Sequence, residues 1–275
     1  MKQIIDVSKK GGVSEKAFKY LCRHLVALVT SYQIVNKNGQ PQDKSEALLY
    51  SGCILSIRNT WFFLTAGHIL KSIERDLNDK RIRFNNWRIL DDFGPDTISH
   101  QSIPFDFVNS EKCYIDEDGL DFGIIALHNN YRRLLEANGI VPISEDNWRY
   151  QNNVEYDEFI MLGLPTKFIN SEVADIQNLL VSYAPTMIRI KEIHKKLPET
   201  KFPRFQGKID EKCVLDDIDG MSGGPIFGFS KRQNERYWIV AIQSSWRKDK
   251  KIIFACPVQI LAGLIEKCDF SYITK

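Results

Sequence analysis

Short apolar runs, each closed off by a polar or glycine-containing turn, recur along nearly the whole chain, and this pattern constrains the fold more than any other feature. They read "ALLYSGCILSI" (47–57), "WFFLTA" (61–66), "RIRFNNWRIL" (81–90), "SIPFDFV" (102–108), "DFGIIAL" (121–127) and "EFIMLGLP" (158–165). "LLVSYAP" (179–185), "KCVLD" (212–216), "PIFGFS" (225–230), "YWIVAIQSS" (237–245) and "KIIFACP" (251–257) follow. Strands at such spacing with few helical patterns between them predict an antiparallel barrel or sandwich. Helical spacing is confined to a segment after Ser14, with Phe18, Leu21, Cys22 and Leu25 on one face, and to "VQILAGLIEKC" (258–268). The first gives way to a strand near residues 26–35. "YRRLLEANGIVPISEDN" (131–147) stands where two halves of the chain would join.

Composition excludes several classes. At 275 residues with 43% hydrophobic and 26% charged side chains, the chain can bury a substantial core. A net charge of +2 gives no global basic field, so no nucleic-acid partner is expected. "KKLP" (195–198) and "RKDKK" (247–251) read as solvated tips. No apolar run is long enough to span a bilayer and the N-terminus lacks a secretory signal pattern, so no membrane partner and a cytoplasmic location are expected. The six cysteines, Cys22, Cys53, Cys113, Cys213, Cys256 and Cys268, form no C-x-x-C pair. Reduced thiols, no metal and no cofactor are the expectation.

"DIDGMSGGPIFG" (217–228) sets one serine, Ser222, among glycines and a proline. That composition suits a tight turn, and equally a nucleophile whose neighbouring amides must approach a substrate closely. A serine nucleophile needs a base, usually histidine, oriented by a carboxylate. All five histidines, His24, His68, His100, His128 and His194, precede Ser222. This excludes the nucleophile elbow that G-x-S-x-G would otherwise suggest, because there the histidine follows the serine. His68 stands at the end of the apolar strand "WFFLTA", beside small residues that admit another segment. The other four read as structural histidines. For the acid, Asp121 lies at the mouth of the apolar run 121–127, where a carboxylate needs a partner. Asp116 and Asp118 compete with it from the adjoining polar turn.

Together these segments resemble the trypsin-like, chymotrypsin-fold serine peptidases. "LTAGHIL" is similar to their T-A-x-H motif, "DFGIIAL" to the strand of the acid, and "GMSGGPIF" to the G-[DN]-S-G-G-P loop, in the order His, Asp, Ser. "SGCIL", "MLGLP" and "VAIQSSW" match supporting strands, so the resemblance covers roughly residues 20–268. It implies an all-β fold of two antiparallel six-stranded barrels, about 20–135 and 150–258, with a C-terminal helix at 259–268, in a single peptidase unit spanning 1–275. The implied activity is a serine endopeptidase acting on polypeptides, with His68, Asp121 and Ser222 as triad and the amides of Gly220 and Ser222 as oxyanion hole. Asp216, six residues before the serine, would floor the pocket and favour Arg or Lys. Ser244 and Ser245 would pair with the substrate backbone.

Two departures bear on function. Met221 replaces the acidic residue or asparagine usual before the serine, and no R-[IV]-[IV]-G-G-like start exists, so activation by a new N-terminal amine is not expected. The cysteine common after the histidine motif in secreted members is absent, with Ile69 and Leu70 in its place. Met221 also keeps two other readings open. One is a non-catalytic binding module on a degenerate peptidase fold. The other is a peptidase whose serine loop is ordered by a regulatory protein partner.

Overall fold

β-Branched and aromatic residues fill the apolar runs, and in the computed structural model they form antiparallel strands. The structure describes residues 15–42, 45–149, 151, 154–173, 179–193, 200–210, 213, 215, 217–230 and 236–265. It is mostly β, with a closed six-stranded barrel, a second sheet and few helices.

After helix α1 (Glu15–Cys22) come β1 (Leu25–Ile34), β2 (Glu46–Ile57) and β3 (Thr60–Thr65). Arg58 and Asn59 join β2 to β3 with φ of 48° and 64°, a two-residue turn whose twist suits a hairpin. Helix α2 (Gly67–Leu77) is followed by β4 (Ile82–Leu90), β5 (Ile103–Pro104), β6 (Lys112–Glu117) and β7 (Leu120–Leu127). These strands make one sheet in the order β5-β4-β1-β2-β3-β7-β6. The first unit therefore has seven strands where six are expected, because residues 112–117, too polar to read as a strand, pair along β7.

Helix α3 (Asn129–Ala137) opens the connection to the second unit. There β8 (Glu158–Gly163) precedes a separate hairpin of β9 (Asn170–Val173) and β10 (Leu179–Ser182). The barrel continues with β11 (Thr186–Glu192), β12 (Phe205–Ile209), β13 (Pro225–Ser230), β14 (Arg236–Arg247) and β15 (Ile252–Pro257). It closes in the order β11-β12-β15-β14-β13-β8. Helix α4 (Val258–Ile265) follows, and the expected remainder of that helix to residue 268 lies outside the described residues.

One apolar cluster is shared by both units. Phe18, Leu21 and Leu25 of the first pack in it with Phe227, Ile239 and Leu261 of the second. His24 is sealed into the same joint: its Nδ1–H donates to the Val141 carbonyl (2.7 Å) and its Nε2 accepts from the Tyr237 hydroxyl (2.8 Å). Burial holds this imidazole at a pKa of about 3, against an ordinary 6.5, so it is neutral. A shared apolar core fixes how the units face each other, and hence the cleft between them.

Candidate active site

The histidine and the acid are both set by the first sheet. β3 ends at Thr65, and Gly67 starts α2 wedged between β6 and β7. A Cβ on Gly67 would lie 2.0 Å from the Ile115 carbonyl oxygen, so a side chain there would push the helix start away. His68 thus opens an α-helix, where the sequence suggests a turn. Its backbone N–H, one of the helix's unpaired first amides, donates to Asp121 Oδ1 (2.9 Å). Its ring Nδ1–H donates to Asp121 Oδ2 (2.7 Å). One carboxylate thereby fixes both the main chain and the tautomer, leaving the Nε2 lone pair for a proton.

The electrostatics follow from these contacts. Burial alone would lower the His68 pKa, but the hydrogen bond and charge of Asp121, with the charge of Asp116, outweigh it and the net shift is upward. Asp116 faces Asp121 across the β6–β7 ladder and is itself held by Lys71 (2.8 Å) on α2. Asp118 sits exposed at the hairpin tip, away from the imidazole contacts. Of the three candidate acids, Asp121 alone touches His68 in the described contacts.

Ser222 lies on a tight turn of the second unit. Gly223 has φ of +87°, and a Cβ there would meet Thr65 Oγ1 at 2.1 Å and the Ser51 carbonyl oxygen at 2.3 Å. Glycine lets the turn reach the end of β3, three residues before His68. Met221 is 0% exposed and packs into the closed barrel of the second unit with Leu215, Ile218 and Ile226. It anchors the turn by apolar burial. The backbone is pinned on either side of it: Thr166 N–H donates to the Asp219 carbonyl (2.7 Å) and Gly224 N–H to the Met221 carbonyl (2.9 Å). In a trans peptide the N–H points opposite its carbonyl, so these bonds turn the amides of Gly220 and Ser222 away from Thr166 and Gly224. Gly220 itself has φ of +89°.

The Ser222 hydroxyl donates to the Ser244 carbonyl (3.2 Å). That bond uses the hydroxyl's single proton, and among the described contacts none joins Ser222 to His68. Ser244 and Ser245 line a cleft of about 430 Å³ together with His68, Asp121, the 116–119 hairpin tip and Arg204. Asp216 lies outside the described residues. His24 is buried, and His100 pairs with Asp92 (2.9 Å) on the first unit. His194 lies outside the described residues. No group of His, Cys, Asp and Glu among the described residues is arranged to hold a metal ion.

Sequence reading misses Ser51 as a participant, although it belongs to the quoted "SGCIL". Its hydroxyl donates to the Gly220 carbonyl (2.9 Å) and accepts from the Leu164 N–H (3.0 Å). A serine that is 0% exposed in a buried strand thus staples the Ser222-bearing loop to the first sheet.

No protein-family model and no curated protein matches the chain. Among solved structures, catalytically active tobacco etch virus protease complexed with product is 13% identical, with a TM-score of 0.44 over 93% of this chain and 82% of that one. The serine protease of human pathogenic astrovirus is 11% identical, with a TM-score of 0.36 over 86% and 89%. The MamO protease domain from Magnetospirillum magneticum is 11% identical, with a TM-score of 0.38 over 88% and 96%.

Proposed function

We propose that the protein is a serine endopeptidase working through His68, Asp121 and Ser222. The observation that carries the reading is the pair of hydrogen bonds that His68 donates to Asp121, from its backbone N–H and its ring Nδ1–H, which leave Nε2 open on the element next to the strand end that the serine turn reaches. In this scheme Ser222 Oγ attacks a peptide carbonyl as His68 Nε2 takes its proton, and Asp121 stabilises the imidazolium. The amides of Gly220 and Ser222 receive the developing oxyanion, each donor contributing about 3 kcal/mol of transition-state stabilisation. His68 then returns the proton to the leaving amine, and water hydrolyses the acyl-enzyme. Ser244 and Ser245 pair with the backbone of the bound polypeptide along the cleft.

One contact favours a second reading, a peptidase that a protein partner switches on: the Ser222 hydroxyl donates to the Ser244 carbonyl. A partner acting there would release it toward His68. The burial of Met221 counts against a merely degenerate scaffold, since it secures the turn where a loose side chain would spoil it. Incubation with an unbiased peptide library, read by mass spectrometry, tests the proposal. Internal cleavages are expected from the wild type and none from Ser222→Ala; equal cleavage by both would refute it.

A further inference from the structure

The closed barrel of the second unit conceals one polar side chain that this chemistry leaves unused. Gln243 is 0% exposed, and neither its Nε2 nor its Oε1 has a hydrogen-bond partner among the described residues. A buried carboxamide lacking both bonds is costly, and such exceptions call for an explanation.

Its position supplies one. The Gly223 N–H donates to the Gln243 carbonyl (2.8 Å), and the Gln243 N–H donates to the Gly224 carbonyl (3.0 Å). The next residue, Ser244, offers the carbonyl that receives the Ser222 hydroxyl (3.2 Å). Gln243 pairs across the ladder with Ala255, and Ala241 precedes it by two on the same strand. Both alanines belong to the cluster holding Leu215, Ile218 and Met221 of the nucleophile loop. The carboxamide therefore stands where the lining strand meets that loop, beside the smallest apolar side chains. Farther out, Trp246 Nε1–H donates to Asp219 Oδ1 (2.9 Å) and Lys248 pairs with Asp217. These two bonds tie strand to loop, while Ser244, next to Gln243, and Ala255, across the ladder from it, both line the cleft that holds His68.

We propose that the part of the cleft bounded by Ser244 and Ala255 receives the substrate side chain next to the attacked carbonyl, and that Gln243, adjoining both, reads an uncharged, hydrogen-bonding one, best a primary amide. The inference rests on the peptidase reading. A carbonyl held at Ser222 Oγ brings its own residue's side chain beside residues 222–224, to which Gln243 is bonded. A Gln or Asn side chain offers an acceptor to Nε2 and a donor to Oε1 at once. An apolar side chain leaves both atoms unpaired, and a charged one finds no countercharge on Gln243.

The test compares kcat/KM for matched peptides carrying Gln or the near-isosteric Met at the attacked residue, in wild type, Gln243→Leu and Gln243→Met. Wild type should favour the Gln peptide by on the order of 100-fold. Both variants should bring that ratio to about one or invert it, with an unchanged or higher Tm as the orphaned amide is removed. Because the variants differ in shape, a folding defect in one leaves the other to report. Cleavage of both peptides with the same ratio in all three proteins overturns the inference and leaves the peptidase reading standing. So does a wild-type preference for Arg or Lys that vanishes in Asp216→Ser. No cleavage of any peptide together with no labelling by a fluorophosphonate overturns both.

Discussion

The cleft and the joint between the units each lock a histidine through Nδ1, and the two imidazoles behave in opposite ways. In the joint, His24 donates to the neutral Val141 carbonyl, and full burial drives its pKa down to about 3. In the cleft, burial pulls His68 in the same direction, but the Asp121 carboxylate reverses the outcome. Enclosure alone makes a histidine inert, and an anionic partner plus an open second nitrogen makes it a base. Tyr237 occupies that second nitrogen in His24.

The contrast is broken most severely at the cleft. Ser222→Ala and His68→Ala should each lower kcat by about a millionfold with little change in Tm, because members of such a unit fail together. His24→Ala should do the reverse, leaving the reaction chemistry while lowering Tm, through a cavity and an unpaired Val141 carbonyl. Parallel assays of turnover and thermal unfolding separate the two. Next in size, Asp121→Asn should cost about four orders of magnitude in kcat by holding the wrong tautomer. Asp118→Asn, at the exposed tip, should be nearly neutral, and a crippling effect there would move the acid by one turn.

Smaller effects appear with pH. His24 has a folded pKa of about 3 below its ordinary 6.5, so the unfolded chain binds its proton first. Stability is complete above 6.5 and falls on acidification toward 3. Urea unfolding should lose about 2 kcal/mol from this group between pH 7 and pH 5. His68 has the opposite sign: its raised pKa adds stability below the ordinary value, lost as pH rises through the folded one. The base must be neutral, so the rising limb of kcat/KM should lie above the ordinary imidazole range. Asp116→Asn removes one raising charge, and the smallest change expected is a shift of that limb to lower pH.

Elements whose own residues carry the pattern were legible before any coordinates. Residues 26–35 read as β-like and form β1, and the runs at 47–57, 61–66 and 121–127 each became a strand. β11 was not legible, because Arg189, Lys191 and Glu192 break up its apolar run. β12 was hidden by Gln206, Gly207 and Lys208. Ile69, Leu70 and Ile73 bear helical spacing after His68, yet the strand before them dominates the reading. His68, Asp121 and Ser222 stand out because each needs a particular local backbone. Ser51 and Gln243 do not, since their roles come from strand register and from contact with a loop far along the chain.

Whether the serine of the second unit is activated by the histidine of the first can be read from one covalent adduct. Intact-mass spectrometry and peptide mapping after fluorophosphonate treatment should find a single phosphonyl group on Ser222. Its formation rate should fall on acidification as His68 takes a proton, and formation should be abolished in His68→Ala. An adduct on another residue, or one formed equally fast in His68→Ala, would contradict a triad built across the two units.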